Sequence, residues 1–425
     1  MMYCSTSGRS PEVDFRSACF NGLAPDGGLY VPASIPRLDP AVFSLPFHDA
    51  AAVVLSWFVT DIQEERLRSI VRSAFNFEIP LVPLAEHIDL LELFHGPTLA
   101  FKDVGARFMA GVLAHYLEHE ERELTIAVAT SGDTGSAVAR GFLGMPRLQV
   151  YVLYPSGRIS RLQEQQMATL GQNIHALEVE GSFDDCQRLL KQALGDPDVV
   201  SRLALTTANS INVGRLLPQV SYYVWACAQW MSRRGRGAPP AVVVPCGNLG
   251  NITSAAYAKQ MGAPLGRLIG ATNRNRVFVE YLASGRFAPE PSVQTLSNAM
   301  DVGNPSNLAR LQQLYGSGMR DEITAAAISD DETLAEIRST HERFGTLVDP
   351  HTAVGLAAVR RLKLSGDVIV ASTAHPAKFP EIVEQATGTR PALPAELERV
   401  LHLPKQSTTM SATYDSLKRI LLSEP

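Results

Sequence analysis

A chain of 425 residues has room for roughly two to four domains and for a large buried core that needs no metal or disulfide to hold it. Hydrophobic residues make up 45% of it and charged residues 19%, which excludes a largely disordered chain. Lys plus Arg number 38 against 43 Asp plus Glu, and a net charge of −5 gives no broad attraction to nucleic acid or an anionic membrane, so neither is expected as a partner.

The first residues contain no apolar leader, and no run of about 18 apolar residues follows that could span a bilayer. Cys4, Cys19, Cys186, Cys227 and Cys246 are widely spaced with no C-x-x-C pair. They suggest neither a disulfide framework nor a zinc knuckle, and a reducing, cytoplasmic setting is expected. After a Gly/Pro-dense entry at 21–40, helical patterns at 50–58 and 64–75 predict an N-terminal cap. Short apolar runs at 124–130, 149–154, 175–179, 241–245, 267–271 and 367–371 then read as strands buried on both faces. Periodic stretches at 104–117, 160–170, 183–194, 216–231, 331–344 and 352–364 read as the helices around them, which predicts α/β architecture. The basic stretch 233–240 reads as a solvated surface loop. The polar tail after Pro404 ends in a short helix at 414–422.

Two Gly-rich turns follow an apolar strand and open a helix, the arrangement that offers free backbone N–H groups to an anion. One is Thr130-Ser131-Gly132-Asp133-Thr134-Gly135. The other is Cys246-Gly247-Asn248-Leu249-Gly250-Asn251, before a helix at 252–261. Neither matches G-x-x-x-x-G-K-[ST] or completes G-x-G-x-x-G, which disfavours a nucleotide P-loop and a dinucleotide site. A third, Ser365-Gly366-Asp367, precedes a strand and reads as an ordinary turn. Two cradles in one chain point to small phosphorylated ligands.

Lys102 closes the segment His95-Gly96-Pro97-Thr98-Leu99-Ala100-Phe101-Lys102-Asp103. A lysine beside Asp is ordinarily a surface residue. Its apolar neighbours leave the other reading open, an amine in an apolar pocket whose lowered pKa lets it form a Schiff base. Thr373 stands at the carboxyl end of a strand, where open sheets place ligands, while His375 and Lys378 beyond it are expected to be solvent-exposed. The ten His show no ligand spacing and no metal is expected; His115 and His119, at i and i+4, read as an exposed helix face.

Taken together these segments resemble the threonine synthase family, pyridoxal-phosphate enzymes of fold type II. The likeness runs nearly full length: residues 3–8 with 22–29, 95–103, 131–135, 209–212 with Arg215, 247–251, 296–301 with 303–307, 348–355 and 373–380. The N-terminal signature and Leu296-Ser297-Asn298-Ala299-Met300-Asp301 resemble the longer bacterial and fungal type. The chain departs from the family pattern at Leu249, where Phe is common, and at Cys246, where Ser or Thr is expected.

The resemblance implies two open, mostly parallel α/β domains with the cofactor between them and a largely helical N-terminal cap. The cap and part of the large domain would occupy 1–95, a small domain with the Schiff-base lysine 96–213, and the rest of the large domain 214–425. It implies that Lys102 binds pyridoxal 5′-phosphate, and that Gly247, Asn248, Leu249, Gly250 and Asn251 hold its phosphate. Thr373 would be a neutral partner for the pyridine nitrogen, with Asp133 near the ring or its hydroxyl. Ser131, Thr134, Asn209 and Arg215 would grip the phosphate of the substrate, O-phospho-L-homoserine, which is converted with water to L-threonine and phosphate. Two alternatives remain at this point: a phospho-lyase giving 2-oxobutyrate, and a catalytically silent binding protein on the same scaffold. The oligomeric state, monomer or homodimer, is not legible in the sequence.

Overall fold

The alternation of apolar runs and amphipathic stretches produces thirteen strands in three sheets among the described residues, which in this computed structural model are 1–423 except 119, 122 and 236. Strands β1 (Tyr3–Ser5) and β2 (Tyr30–Pro32) form a small antiparallel pair, in which Tyr3 faces Pro32. The Tyr3 hydroxyl ties this pair to the Phe58 carbonyl at 2.8 Å. Beside it lie the helices Phe47–Ser56 and Glu64–Ala74, whose Val54, Leu55, Leu67 and Val71 are buried in one cluster with the long helix Pro218–Arg234.

Two short strands that the sequence reading did not anticipate follow, β3 (Leu81–Ala85) and β4 (Ile88–Glu92). Pro83 restricts β3 to a sheet edge, and its half-exposed residues give it little apolar signal. Next come β5 (Leu124–Ala129), β6 (Leu148–Pro155), β7 (Ile174–Glu180) and β8 (Leu205–Thr207), then β9 (Ala241–Pro245), β10 (Leu268–Thr272), β11 (Ile323–Ala327) and β12 (Val368–Ser372), and finally β13 (Ser407–Ser411). The six-stranded sheet runs β11-β10-β9-β12-β4-β3, parallel except for the β3 edge. The five-stranded sheet runs β13-β7-β6-β5-β8 and is wholly parallel.

Parallel strands need covered faces, and both large sheets have them. In the five-stranded sheet Ile126 and Val128 point toward Met109, Leu113, Val138 and Phe142. Ala127 and Ala129, one residue out of phase, point toward Leu189, Leu190, Leu417 and Leu421. In the six-stranded sheet Val243 and Val370 pack with Val354, Ala358 and Ile337, while Val242 and Val244 pack with the helix Pro218–Arg234 and its neighbours.

The sheet order amends the expected 214–425 unit at its end. Strand β13 pairs in parallel with β7, Ser407 facing Ala176 and Ser411 facing Glu180, so the tail completes the five-stranded sheet. Of its five residues only Met410 is buried, which is why its composition reads as loop. The described residues of the basic stretch are exposed from 233 to 239 as expected, but its first two are helical. Arg233 and Arg234 belong to the last turn of the helix Pro218–Arg234, where they lie 3.2 and 3.8 Å from the buried Asp89 carboxylate. No helix among the described residues is long and apolar enough to cross a membrane.

Because Leu417 is fully buried against Leu189 and Leu190, Leu417→Ala is expected to destabilise the five-stranded sheet by about 2–5 kcal/mol. Urea unfolding measures the loss; a change below about 0.5 kcal/mol would show that the tail helix contributes no core.

Candidate active site

Lys102 is presented by a loop folded around a buried carboxylate. Asp103 is fully buried and accepts from the Thr98 N–H at 2.8 Å and from the Thr98 hydroxyl at 2.7 Å. Leu99, at φ 55°, turns the chain in the left-handed region, and the helix Lys102–Leu117 begins on the lysine itself. The Lys102 side chain is 14% exposed, with Nζ 3.5 Å from Asp133 Oδ2 and 4.9 Å from the Phe101 ring centroid. Burial pulls its pKa below the ordinary lysine value; Asp133 opposes this, and the Lys378 and Arg215 cations reinforce it.

Asp133 opens the helix Asp133–Phe142 immediately after β5. Its Oδ1 receives Lys378 Nζ at 2.8 Å and Gln163 Nε2 at 3.1 Å. Burial alone would raise this carboxyl, but the Lys378 and Lys102 ammonium groups together with His351 outweigh it and hold it well below the ordinary range. Lys378, expected at the surface, is fully buried and donates also to the Thr98 carbonyl at 2.9 Å. The carboxylate and carbonyl together make a buried ammonium tolerable. His375, likewise expected to be exposed, is half-buried and accepts from the Ala377 N–H at 3.1 Å. His115 is half-buried against Arg66 Nε at 3.3 Å; His119 lies outside the described residues.

The two Gly-rich turns open helices whose N-cap residues, Gly132 and Leu249, provide no side-chain cap, which leaves first-turn N–H groups without that partner. In the first turn Thr130 Oγ1 accepts from the Gly132 and Gly135 N–H groups at 3.0 and 2.8 Å. In the second, Asn248 donates to Ser210 Oγ at 2.9 Å and accepts from the Ser306 N–H at 2.5 Å, which locks the turn's shape. A Cβ on Gly247 would sit 2.8 Å from Met300 Cα, so only glycine lets the 296–301 segment lie across the turn. Leu249 adopts φ 60°, and the helix Gly250–Gln260 follows it directly. Asn251 accepts from the Tyr222 and Tyr223 hydroxyls at 2.6 and 2.7 Å, while its Nδ2 is buried without a partner. Cys246 donates its thiol hydrogen to the Val244 carbonyl at 3.0 Å.

Arg215 reaches the same space from the short helix Val213–Leu216. It is 2% exposed, Nη1 donates to the Ala208 carbonyl, and Nε is left without a partner. Gly105 makes its position possible, since a Cβ there would come within 2.5 Å of the Arg215 carbonyl. Burial lowers the guanidinium pKa to about 10. Asn209 accepts from the Ala129 N–H at 3.0 Å and from the Thr207 hydroxyl at 3.1 Å, and donates to the Ala129 carbonyl at 2.7 Å. Its amide is therefore largely committed to holding the end of β5.

Every residue expected at the site lines one pocket at the carboxyl ends of β5, β9 and β12, and Thr373 lines it immediately after β12. Sequence reasoning left out His351, which lines the pocket with Nδ1 2.6 Å from the buried Asp349. It also gave no role to Lys378 or to Gln163. The one local signal for Lys378 is its flanking by Ala377 and Phe379, apolar neighbours like those of Lys102.

A buried amine of lowered pKa, an uncapped helix end and an unpartnered Asn251 Nδ2 fit an aldehyde that carries a phosphate. In agreement, a family model described as pyridoxal-phosphate dependent enzyme matches residues 84–373, and the chain is a pyridoxal-phosphate-dependent α/β enzyme. Models for the threonine synthase N terminus and the threonine synthase C-terminal region match 2–75 and 352–421. A threonine synthase of Serratia marcescens is 40% identical over 422 residues, 97% of each chain. The crystal structure of threonine synthase from Escherichia coli superposes with a TM-score of 0.94 at 39% identity, covering 99% of both chains. A threonine synthase structure from Brucella melitensis, described with bound PLP, gives 0.90 at 36% identity, covering 99% of this chain and 98% of that one. The chain belongs to the threonine synthase family.

The loop behind Lys102 carries a pH signature. Burial raises the Asp103 pKa from its ordinary 3.8 to about 6, against the opposing Thr98 hydrogen bonds. Between those values the folded chain retains a proton that the unfolded chain has released, so stability falls as pH rises through the window. Urea unfolding from about pH 4 to 7 should show this decline, and Asp103→Asn should make it shallower, the rest belonging to Asp301, which burial also raises to about 6; an identical slope in the variant would mean that Asp103 is not a source.

Proposed function

We propose that the chain converts O-phospho-L-homoserine and water to L-threonine and phosphate, with Lys102 as its Schiff-base residue. The observation that carries the reading is one largely buried amine in a pocket also lined by the starts of two helices, which suits a substrate and a cofactor that each bear a phosphate. Pyridoxal phosphate, when bound, supplies the conjugated ring that accepts the negative charge developed on the substrate carbons.

The chain's residues do the rest. Gly247, Asn248, Leu249, Gly250 and Asn251 would hold the cofactor phosphate with backbone N–H groups, the positive end of the helix Gly250–Gln260 and the free Asn251 Nδ2. Thr373, which lines the pocket, would be a neutral partner for the pyridine nitrogen. Ser131, Thr134 and Arg215 bind the substrate phosphate, Arg215 through the guanidinium edge that lacks a protein partner. Asn209 contributes its remaining amide hydrogen and fixes the end of β5. The neutral Lys102 amine removes the α-proton and holds it at Nζ for delivery to the neighbouring carbons. The donors around the substrate phosphate act twice, orienting the ground state and stabilising charge on the departing group.

Purified protein supplied with pyridoxal phosphate and O-phospho-L-homoserine is expected to release threonine and phosphate in equal amounts. A predominance of 2-oxobutyrate would defeat the assignment. Lys102→Ala should lose both the visible Schiff-base absorbance and threonine formation. Arg215→Lys should keep the absorbance while kcat/KM falls by about 30-fold or more, because a point charge does not replace a buried fork; an unchanged kcat/KM would remove Arg215 from the substrate site.

A further inference from the structure

We propose that Lys378 is a positioning residue that keeps Lys102 available as a neutral amine by drawing the Asp133 carboxylate to itself. This inference rests on the reading of Lys102 as the cofactor-bearing amine.

Asp133 lies between two lysines and is shared unequally. Lys378 Nζ sits 2.8 Å from Oδ1, a full charge-assisted contact, whereas Lys102 Nζ sits 3.5 Å from Oδ2, at the limit of one. The other ligands of both groups reinforce the inequality. Gln163 Nε2 adds a hydrogen bond to Oδ1 at 3.1 Å, and Lys378 is fixed from its far side by the Thr98 carbonyl at 2.9 Å. Lys378 is fully buried and outside the lining of the pocket, so it reaches Lys102 through Asp133 and through its own charge.

The charged groups facing Lys102 are Asp133 from the helix Asp133–Phe142, Arg215 from the helix Val213–Leu216, and Lys378 from the turn Pro376–Lys378 after β12. His351, at the start of the helix Pro350–Arg361, faces Asp133. If Asp133 answered Lys102 alone, a buried carboxylate would hold that amine protonated, and a protonated amine can neither attack a carbonyl nor accept the α-proton. A second, immobile ammonium on the same carboxylate keeps Asp133 ionised and the local charge balanced without leaving Lys102 charged. The asymmetry in distance selects which lysine carries the proton.

The test is trace acetylation of the full chain, freed of cofactor, with acetic anhydride across pH, the extent of Lys102 labelling being read by mass spectrometry. Lys378→Met should move the Lys102 labelling midpoint to higher pH, reducing labelling at fixed pH by about tenfold. Asp133→Asn should move it to lower pH, and the double variant should return close to the wild type. A merely structural role for Lys378 predicts no such ordering. Circular dichroism melts report whether each variant is folded. Should Lys378→Met fail to fold, the double variant compared with Asp133→Asn carries the same test, since adding Lys378→Met there again removes a cation near Lys102 and must raise the midpoint. An unmoved midpoint in the folded pair overturns the proposal. Borohydride reduction of the wild type loaded with pyridoxal phosphate, followed by peptide mapping, separates the two levels. Attachment at Lys102 with unmoved midpoints sinks only the role of Lys378, and attachment elsewhere sinks the functional reading beneath it.

Discussion

The structure depends on one buried carboxylate. Asp133 stands at the carboxyl end of β5 in the five-stranded sheet, and Lys378 stands in the turn after β12 in the six-stranded sheet. Their 2.8 Å contact therefore joins the two sheets at the floor of the pocket as well as balancing charge there. A buried ion pair of this kind is weak evidence for stability, because desolvation offsets most of the attraction, but breaking one leaves a costly unpaired charge. The arrangement is better understood as fixing geometry. It anchors the first residue of the helix Asp133–Phe142 against the turn after β12.

The two uncapped helix ends follow from the same architecture. Parallel strands of one sheet deliver their carboxyl ends to one side, and here the turn after β5 of one sheet meets those after β9 and β12 of the other in one pocket, which the helices following two of them open toward. Each turn needs a local concession. Leu249 occupies a left-handed conformation that favours glycine, and Gly247 must lack a side chain for the 296–301 segment to cover it. Asn248, Ser210, Ser306 and Asn307 bond to one another or to the turn and hold it in that shape.

Much of this was legible in the sequence because it is written in local pattern. Apolar strands, the Gly-rich turns that follow them and the apolar approach to Lys102 all lie within a few residues of what they specify. The failures share the opposite property. Strand β13 is polar and takes its place only through β7, and β3 is a proline-bearing edge whose pairing with β4 has no alternating pattern. Lys378 misled for the same reason: lysine is rarely buried unless paired, and its partner lies in the other sheet. Asn209 lines the pocket as expected, but its bonds to both backbone groups of Ala129 add a strand-capping contact that no spacing rule encodes.

The mildly acidic charge balance acquires a definite meaning once the site is in place. A chain of net charge −5 does not draw phosphorylated ligands by its overall field. The pocket reverses that sign locally with Arg215 and two helix ends, while Asp133 is offset by Lys378. Arg215 is the decisive member, because it is buried with no carboxylate of the described residues within ion-pair distance and an unpartnered Nε. A guanidinium in that state has a standing desolvation cost that an anionic ligand relieves on arrival. The same group therefore supplies affinity and selectivity: a neutral analogue would leave the cost in place, and only a ligand whose anion reaches Arg215 removes it.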